Sequence, residues 1–392
     1  MTASDLPEVP PSKLPRVGTT IFSVMSQLAA EHGALNLSQG FPDFDGPQAL
    51  LDRVTHHLNQ GRNQYAPMTG VPALRQAIAA SVAASYGRQV DPDTEVTVTS
   101  GATEALFCAI QALVRTGDEV IVFDPAYDSY EPAVELAGGR CVRLPLAGPE
   151  FRPDWQQVRD HINPRTRLLI VNTPHNPTGS IWSADDLQEL EQLVVAHGLW
   201  VLSDEVYEHI VFDGKVHQSM HRSAALAERS LVVSSFGKTY HVTGWKLGYC
   251  VAPAALSAEF RKVHQYVTFA SITPVQWALA DFMAECPQHA EQLAAFYQAK
   301  RDRFCAGLEG ASFQFQPAAG TYFQLLDFSA LSRAVDSDFA HALIQSPGVA
   351  AVPVSGFYRE PPTAHWLRFC FAKDDATLDR ATALLRAIEP AV

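Results

Sequence analysis

One lysine stands out for its setting. Residues Ser234 to Gly248 read Ser-Ser-Phe-Gly-Lys-Thr-Tyr-His-Val-Thr-Gly-Trp-Lys-Leu-Gly, with apolar runs Leu231–Val233 before and Leu247–Val251 after. This pattern predicts Lys238 on a small-residue loop between two strands, with Gly237 allowing close backbone approach. Lysine normally points into water. Burial lowers its pKa and makes the amine a nucleophile. The neighbouring cation Lys246 and hydroxyl Ser235 converge on the same short stretch.

Three other stretches fall where strands should end. Thr99-Ser100-Gly101-Ala102-Thr103-Glu104 runs a strand through a glycine turn into a helix. Free N–H groups of Gly101, Ala102 and Thr103 would then form an anion site. Any capped strand–helix turn looks similar, so this signal is weak alone. Asn172-Thr-Pro-His-Asn176-Pro-Thr-Gly179 closes an apolar strand and offers the amide Asn176; the plain alternative is an ordinary loop. Trp200-Val-Leu-Ser-Asp204-Glu-Val-Tyr207 runs an apolar strand into an acid pair. Burying a carboxylate there is costly unless it is paired. The plain alternative is Ser203 or Asp204 capping the next segment.

Taken together, these parts make a phosphate cradle (Ala102, Thr103, Ser235, Lys246), an acid (Asp204), a phenol (Tyr207), an amide (Asn176) and a lysine between them. That set suits an anionic aromatic aldehyde with a basic ring nitrogen. Pyridoxal phosphate has that chemistry, with a lysine Schiff base and an acidic partner at the ring nitrogen.

The elements that must position these residues are legible. The 392 residues are enough for a large core and two domains. Hydrophobic residues make up 47% and charged residues 18%, as in ordinary globular proteins. A formal charge of −13 argues against a general nucleic-acid binder, which needs a basic face. The six cysteines lie far apart, with no Cys-x-x-Cys pair, which argues against a disulfide framework or a zinc site. His56-His57, His217 and His221 lack a matching ligand set, so no metal is expected.

The N-terminal stretch to Pro15 is proline-rich, an extended arm with no signal-peptide pattern. No apolar run reaches the length of about 20 residues that spans a bilayer. A cytoplasmic location follows as an expectation.

Between residues 73 and 253, short apolar strands alternate with helical segments. This predicts an α/β fold with a mostly parallel sheet covered on both faces, and a ligand at the strands' carboxyl ends. After Pro253, long helices give way to short strands, including Tyr322–Leu326, Val349–Val352 and Trp366–Phe371. Phe313–Phe315 reads as a core strand, and Asp336–Asp338 as a helix cap. The expected division is 1–45 (arm and part of a small domain), 46–290 (large cofactor-binding domain) and 291–392 (small C-terminal domain).

From about Pro15 to its end the chain resembles the class I, fold-type I aminotransferases. The resemblance rests on Asn-Pro-Thr-Gly at 176–179, Ser-Asp-Glu-Val-Tyr at 203–207 and Ser-Phe-Gly-Lys-Thr at 235–239, in that order. Within the family it is similar to the kynurenine/glutamine aminotransferase group and to bacterial methionine aminotransferases. That likeness runs through Ser-Gln-Gly-Phe-Pro-Asp-Phe at 38–44 and Asn-Gln-Tyr-Ala-Pro-Met-Thr-Gly at 63–70.

The resemblance implies a seven-stranded type of sheet and a role for each position. Lys238 would carry the cofactor as a Schiff base. Asp204 would pair with the pyridinium nitrogen. Tyr207 and Asn176 would bond the ring oxygen, and Tyr127 would stack on the ring. Gly101, Ala102, Thr103, Ser235 and Lys246 would hold the phosphate. Arg368 would clamp the substrate carboxylate, helped by Asn176 and Gly40. Tyr65 and Phe269 would reach in from the second subunit of a homodimer, and Phe22 would shape the substrate pocket. Many family members carry arginine where this chain has Lys246; the kynurenine-type group shares the lysine.

The implied reaction is transamination of an apolar or aromatic L-amino acid, methionine foremost, with a 2-oxo acid. The same site chemistry admits a kynurenine/glutamine-type enzyme with β-lyase side activity, or a decarboxylating synthase. Ser235-Phe-Gly-Lys238 also matches the Ser-x-x-Lys signature of serine hydrolases, but the Ser-Asp-Asn and Lys-Thr-Gly partners are replaced here by Ser203-Asp-Glu and Lys238-Thr-Tyr. A cofactor-binding regulator would need an added DNA-binding domain, for which the arm is too short.

Overall fold

The computed structural model describes residues 9–362 and 365–389. The predicted arm lies partly outside them, since Met1 to Glu8, including Pro7, are not among the described residues. Among those that are, no helix is long and apolar enough to cross a membrane.

Among the described residues twelve strands occur in chain order: β1 Leu35–Asn36, β2 Val96–Thr99, β3 Glu119–Asp124, β4 Arg140–Pro145, β5 Thr166–Asn172, β6 Trp200–Asp204, β7 Ser230–Ser235, β8 Gly248–Val251, β9 Phe323–Asp327, β10 Val349–Ala350, β11 Val352–Pro353 and β12 Trp366–Cys370. Strands β2 to β8 form one seven-stranded sheet in the order β2-β8-β7-β6-β5-β3-β4. It is parallel except at β8, which runs against both β2 and β7.

Strand alternation builds a core on each face of the central strands. Val120, Val122, Leu168 and Ile170 face the Ala102–Leu113, Tyr130–Leu136 and Ala254–Val267 helices. Their neighbours Ile121, Phe123, Leu169 and Val171 face the Ala184–His197 helix through Leu187, Leu190 and Val194. Both faces are covered, which is why these strands read as unbroken apolar runs.

A second body gathers the chain's two ends. β1 pairs in parallel with β10, and β11-β12-β9 form an antiparallel sheet. Met25, Ala29 and Leu37 from the N-terminal segment share a core with Phe304, Phe328, Phe369 and Leu378.

Four expectations change. Lys238 is not on a loop but in a four-residue helix, Phe236–Thr239, between β7 and β8; one turn is too short to show a 3.6-residue period. The predicted strand Val349–Val352 divides between two sheets at Ala351. Phe313–Phe315 makes only a bridge, Gln314 to Asp327, although Phe313 is buried as expected. Asp336 does not cap a helix: it opens the Asp336–Gln345 helix behind Val335, and its Oδ2 accepts the Ser355 N–H at 2.7 Å.

Candidate active site

The carboxyl ends of β2, β5, β6 and β7 meet at one cavity of about 300 Å³. Register explains the meeting. Asn172, the last residue of β5, pairs with Asp204, the last of β6, and β7 runs two residues past its pairing with Asp204 before the Lys238 helix begins.

At one end, β2 turns through Gly101 into the Ala102–Leu113 helix. Gly101 has φ +85°, a left-handed value that a side chain would strain, and no side chain caps the helix. The first-turn N–H groups at Ala102 and Thr103 therefore face the cavity without an intrahelical acceptor. Ser235 and Lys246 line the same end. Lys246 takes a left-handed φ of +52°, and its Cε lies 3.5 Å from where a Cβ on Gly101 would sit. A helix N-terminus, a hydroxyl and an ammonium are the donors a phosphate dianion requires, so this end fits the phosphate of pyridoxal phosphate.

Asp204 lies deeper, buried. Its Oδ2 accepts from the Tyr130 hydroxyl at 2.6 Å and its Oδ1 from the Val206 N–H at 3.4 Å. Burial pushes its carboxyl up to about 6, against the pull of the Tyr130 hydrogen bond. A cationic ring nitrogen is the partner such a carboxylate lacks. Tyr207 and Tyr127 line the cavity beside it, and burial raises both phenols above their ordinary range.

Lys238 is central. Its Nζ donates to the Gly40 carbonyl at 3.1 Å and to the Tyr322 hydroxyl at 2.8 Å. Burial brings the amine down to about 8, with Arg368 and Lys246 pushing the same way and Asp204 opposing. Such an amine exchanges protons near neutral pH.

At the far end Arg368, on β12, is 1% exposed. Its two terminal nitrogens donate to Asn176 Oδ1 at 2.7 Å and Ser38 O at 2.8 Å, while Nε is buried without a partner among the described residues. The guanidinium stands 3.9 Å from the Phe323 ring centroid and 5.1 Å from that of Phe22. A buried guanidinium with spare donors suits a bidentate carboxylate. Because Asn176 Oδ1 is taken by Arg368, its NH₂ is the group left for a ligand. Gly40 must stay glycine: a Cβ there would sit 2.6 Å from Phe323 Cζ.

The structure thus gathers Gly101, Ala102, Thr103, Tyr127, Asn176, Asp204, Tyr207, Ser235, Lys238, Lys246, Gly40, Phe22 and Arg368 around one cavity. It does not bring Tyr65 and Phe269 there. They pair with each other at the surface, ring centroids 5.4 Å apart, and Tyr65 is 85% exposed. Tyr130 and Tyr322 were not singled out from sequence. Each is an aromatic inside a helix or strand pattern, where its hydroxyl gives no signal.

A family model described as "Aminotransferase class I and II" matches residues 33–385. The chain is 54% identical to the methionine aminotransferase of Escherichia coli, over 97% of this chain and 99% of that one. The chain belongs to the class I and II aminotransferases.

Other relatives agree. A probable N-succinyldiaminopimelate aminotransferase from Mycobacterium tuberculosis is 41% identical, covering 96% of this chain and 98% of its own. Mouse kynurenine–oxoglutarate transaminase 1 is 36% identical over 90% of this chain and 91% of its own. The crystal structure of an E. coli methionine aminotransferase, 54% identical, superimposes with a TM-score of 0.95, covering 97% of this chain and all of that one. This aminotransferase therefore works with pyridoxal phosphate, which the cavity's donor set fits.

Three of the histidines are held by structural partners. His57 Nε2 lies 2.8 Å from Asp281, and His217 Nε2 2.8 Å from Glu205. His175 is buried against Thr178, and burial lowers it to about 4. Among the described residues Glu104, Cys108 and His264 bring ligand-type atoms within 4.8 Å of one another. Glu104 Oε1 there already accepts from Cys108 Sγ at 2.9 Å and faces His264 Nδ1 at 2.8 Å.

Proposed function

We propose that this aminotransferase acts on apolar L-amino acids, methionine foremost, with a 2-oxo acid as acceptor. One observation carries the reading: a half-buried amine, Lys238, shares a cavity with an anion cradle at one end and a caged guanidinium at the other. Phe22, Phe41, Leu106 and Phe323 give the lining its apolar character, and Arg368 is the lone arginine among the described lining residues. A second acidic group on the substrate would find no matching fork, which favours methionine or aromatic donors. Apolar pockets discriminate by only about 1–3 kcal/mol per methylene, so related donors should also react.

Bound pyridoxal phosphate supplies an aldehyde that condenses with amines and a ring that takes up the electrons left when Cα loses its proton. The chain's own residues do the rest. Ser235, Lys246 and the Ala102 and Thr103 amides would hold the phosphate. Asp204, ionised, would favour the cationic form of the ring nitrogen. Asn176 and Tyr207 would bond the ring oxygen, and Tyr127 would cover the ring. Arg368 would fix the substrate carboxylate and so place Cα near Lys238, whose amine would take up the Cα proton and hold it for return.

The same reading places Tyr65 and Phe269 in a second subunit's cavity. Their joint exposure supports a homodimer that covers them. It also divides the chain near residues 45 and 290, and sets the protein in the cytoplasm.

A donor panel tests the proposal. Methionine and phenylalanine should give their 2-oxo acids, with aspartate at least tenfold poorer in kcat/KM. Lys238→Ala should lose turnover and the near-visible absorbance of the loaded enzyme. Aspartate as the best donor would overturn the substrate class. Pyruvate and a thiol released from cysteine conjugates faster than transamination proceeds would make it a β-lyase.

A further inference from the structure

We infer that Tyr322 is a positioning residue that orients the free amine of Lys238, so that its proton-exchanging position faces the substrate Cα. The inference rests on the assignment of Lys238 as proton carrier and goes beyond it.

Three atoms form a closed triangle. The Tyr322 hydroxyl donates to the Gly40 carbonyl at 2.5 Å. Lys238 Nζ is 3.1 Å from that same carbonyl and 2.8 Å from the hydroxyl. A phenol has one hydrogen, and Gly40 takes it. Toward Lys238 the phenol oxygen therefore only accepts, while a carbonyl oxygen has two lone pairs and serves both donors. The Tyr207 phenol also hydrogen-bonds the Tyr322 hydroxyl, but the direction of both lysine bonds is fixed: the lysine gives two hydrogens, one to Gly40 and one to Tyr322.

A neutral amine has two hydrogens and one lone pair. With both hydrogens committed, the lone pair occupies the remaining tetrahedral position, and Lys238 lines the cavity. Once the amine is protonated, the same two bonds persist and the new hydrogen occupies that position. The proton that leaves is then the proton that arrived. No bond at Nζ has to break between the two transfers. Tyr322 itself neither gives nor takes a proton, because burial beside Tyr207 keeps the phenol neutral.

The surroundings hold the triangle in place. Tyr322 is 1% exposed and packs edge-on to Tyr207 and Phe323, with ring centroids at 5.2 and 4.9 Å. The charged and titratable groups around the lysine are Asp204 from β6, Tyr207 beyond it, Lys246 before β8, and Arg368 and Cys370 from β12.

Tyr322→Phe tests the inference, because it removes one oxygen and keeps the ring. In the loaded enzyme kcat should fall about tenfold to a hundredfold, with KM for methionine within about twofold. Methionine deuterated at Cα should show a larger kinetic isotope effect than in the parent. A second readout is independent of turnover. In enzyme carrying pyridoxamine phosphate, Lys238 is a free amine, and its acylation by acetic anhydride can be followed by peptide mass spectrometry across pH. The midpoint should move to lower pH in the variant, because the ammonium form loses an acceptor.

If kcat, isotope effect and midpoint are all unchanged while Lys238→Ala is inactive, the orienting role is wrong and the lysine assignment stands. If Lys238→Ala still transaminates, the underlying assignment fails instead. A melting temperature within a few degrees of the parent confirms that the variant reports on Nζ rather than on folding.

Discussion

Asp204 and Glu205 are adjacent carboxylates at the end of β6, both buried, and they face opposite sides of the sheet. Glu205 is saturated. Its Oε1 accepts from the Ser203 hydroxyl at 2.8 Å and the Met220 N–H at 3.1 Å, and its Oε2 faces His217 at 2.8 Å. Asp204 has one short bond, from Tyr130, and one long contact at 3.4 Å, and it opens onto the cavity. A buried carboxylate whose oxygens are filled by protein is part of the framework. One left underfilled beside a cavity is waiting for a cation, and its raised pKa records the missing partner.

The sharpest way to break this contrast is Asp204→Asn. Turnover should drop by about three orders of magnitude, roughly 4 kcal/mol of barrier, since a neutral amide no longer stabilises positive charge at the ring nitrogen. Stability should change little, because Asn keeps the shape and can still accept from Tyr130. Steady-state kinetics beside a thermal melt checks both halves. A variant within tenfold of the parent in kcat would make Asp204 a framework residue after all.

Glu205→Ala should do the reverse. It strands the Ser203 hydroxyl, the Met220 N–H and the His217 ring, and a group removed from such a buried set costs about 3 kcal/mol of folding stability. Denaturant unfolding should show that loss, while kcat per folded, loaded molecule stays within a few-fold. A kcat collapse without loss of stability would erase the distinction between the two sides of β6.

Sequence showed some of this and hid the rest for identifiable reasons. The strands of the large sheet were legible because both faces are buried. Asp204 was separable from Glu205 only through the Ser-Asp-Glu-Val-Tyr resemblance; the strand pattern alone marks an acid pair and does not say which member faces the ligand. The one-turn helix that carries Lys238 leaves no periodicity to read. The four-residue Ala224–Ala227 helix leaves none either. Tyr130 and Tyr322 looked like core aromatics, and their rings are core. Their hydroxyls acquire a purpose only when the fold brings Tyr130 against Asp204, 74 positions away, and Tyr322 against Gly40, 282 positions away.

The smallest expected effect tests how Asp204 is kept ionised while underfilled. Tyr130→Phe removes its one short hydrogen bond and leaves burial unchanged. Of the two influences, burial raises the carboxyl and the phenol lowers it, so removing the phenol moves the carboxyl up. Asp204 acts in its ionised form. The acid limb of the kcat/KM profile should therefore shift to higher pH by about one unit, the worth of one charge-assisted bond of about 1.5 kcal/mol, and activity well down that limb should fall about tenfold. At high pH, where the carboxyl is ionised regardless, the variant should recover toward the parent. A purely structural role for Tyr130 would lower activity by the same factor at every pH, and that flat profile would show that the phenol packs beside Asp204 without tuning it.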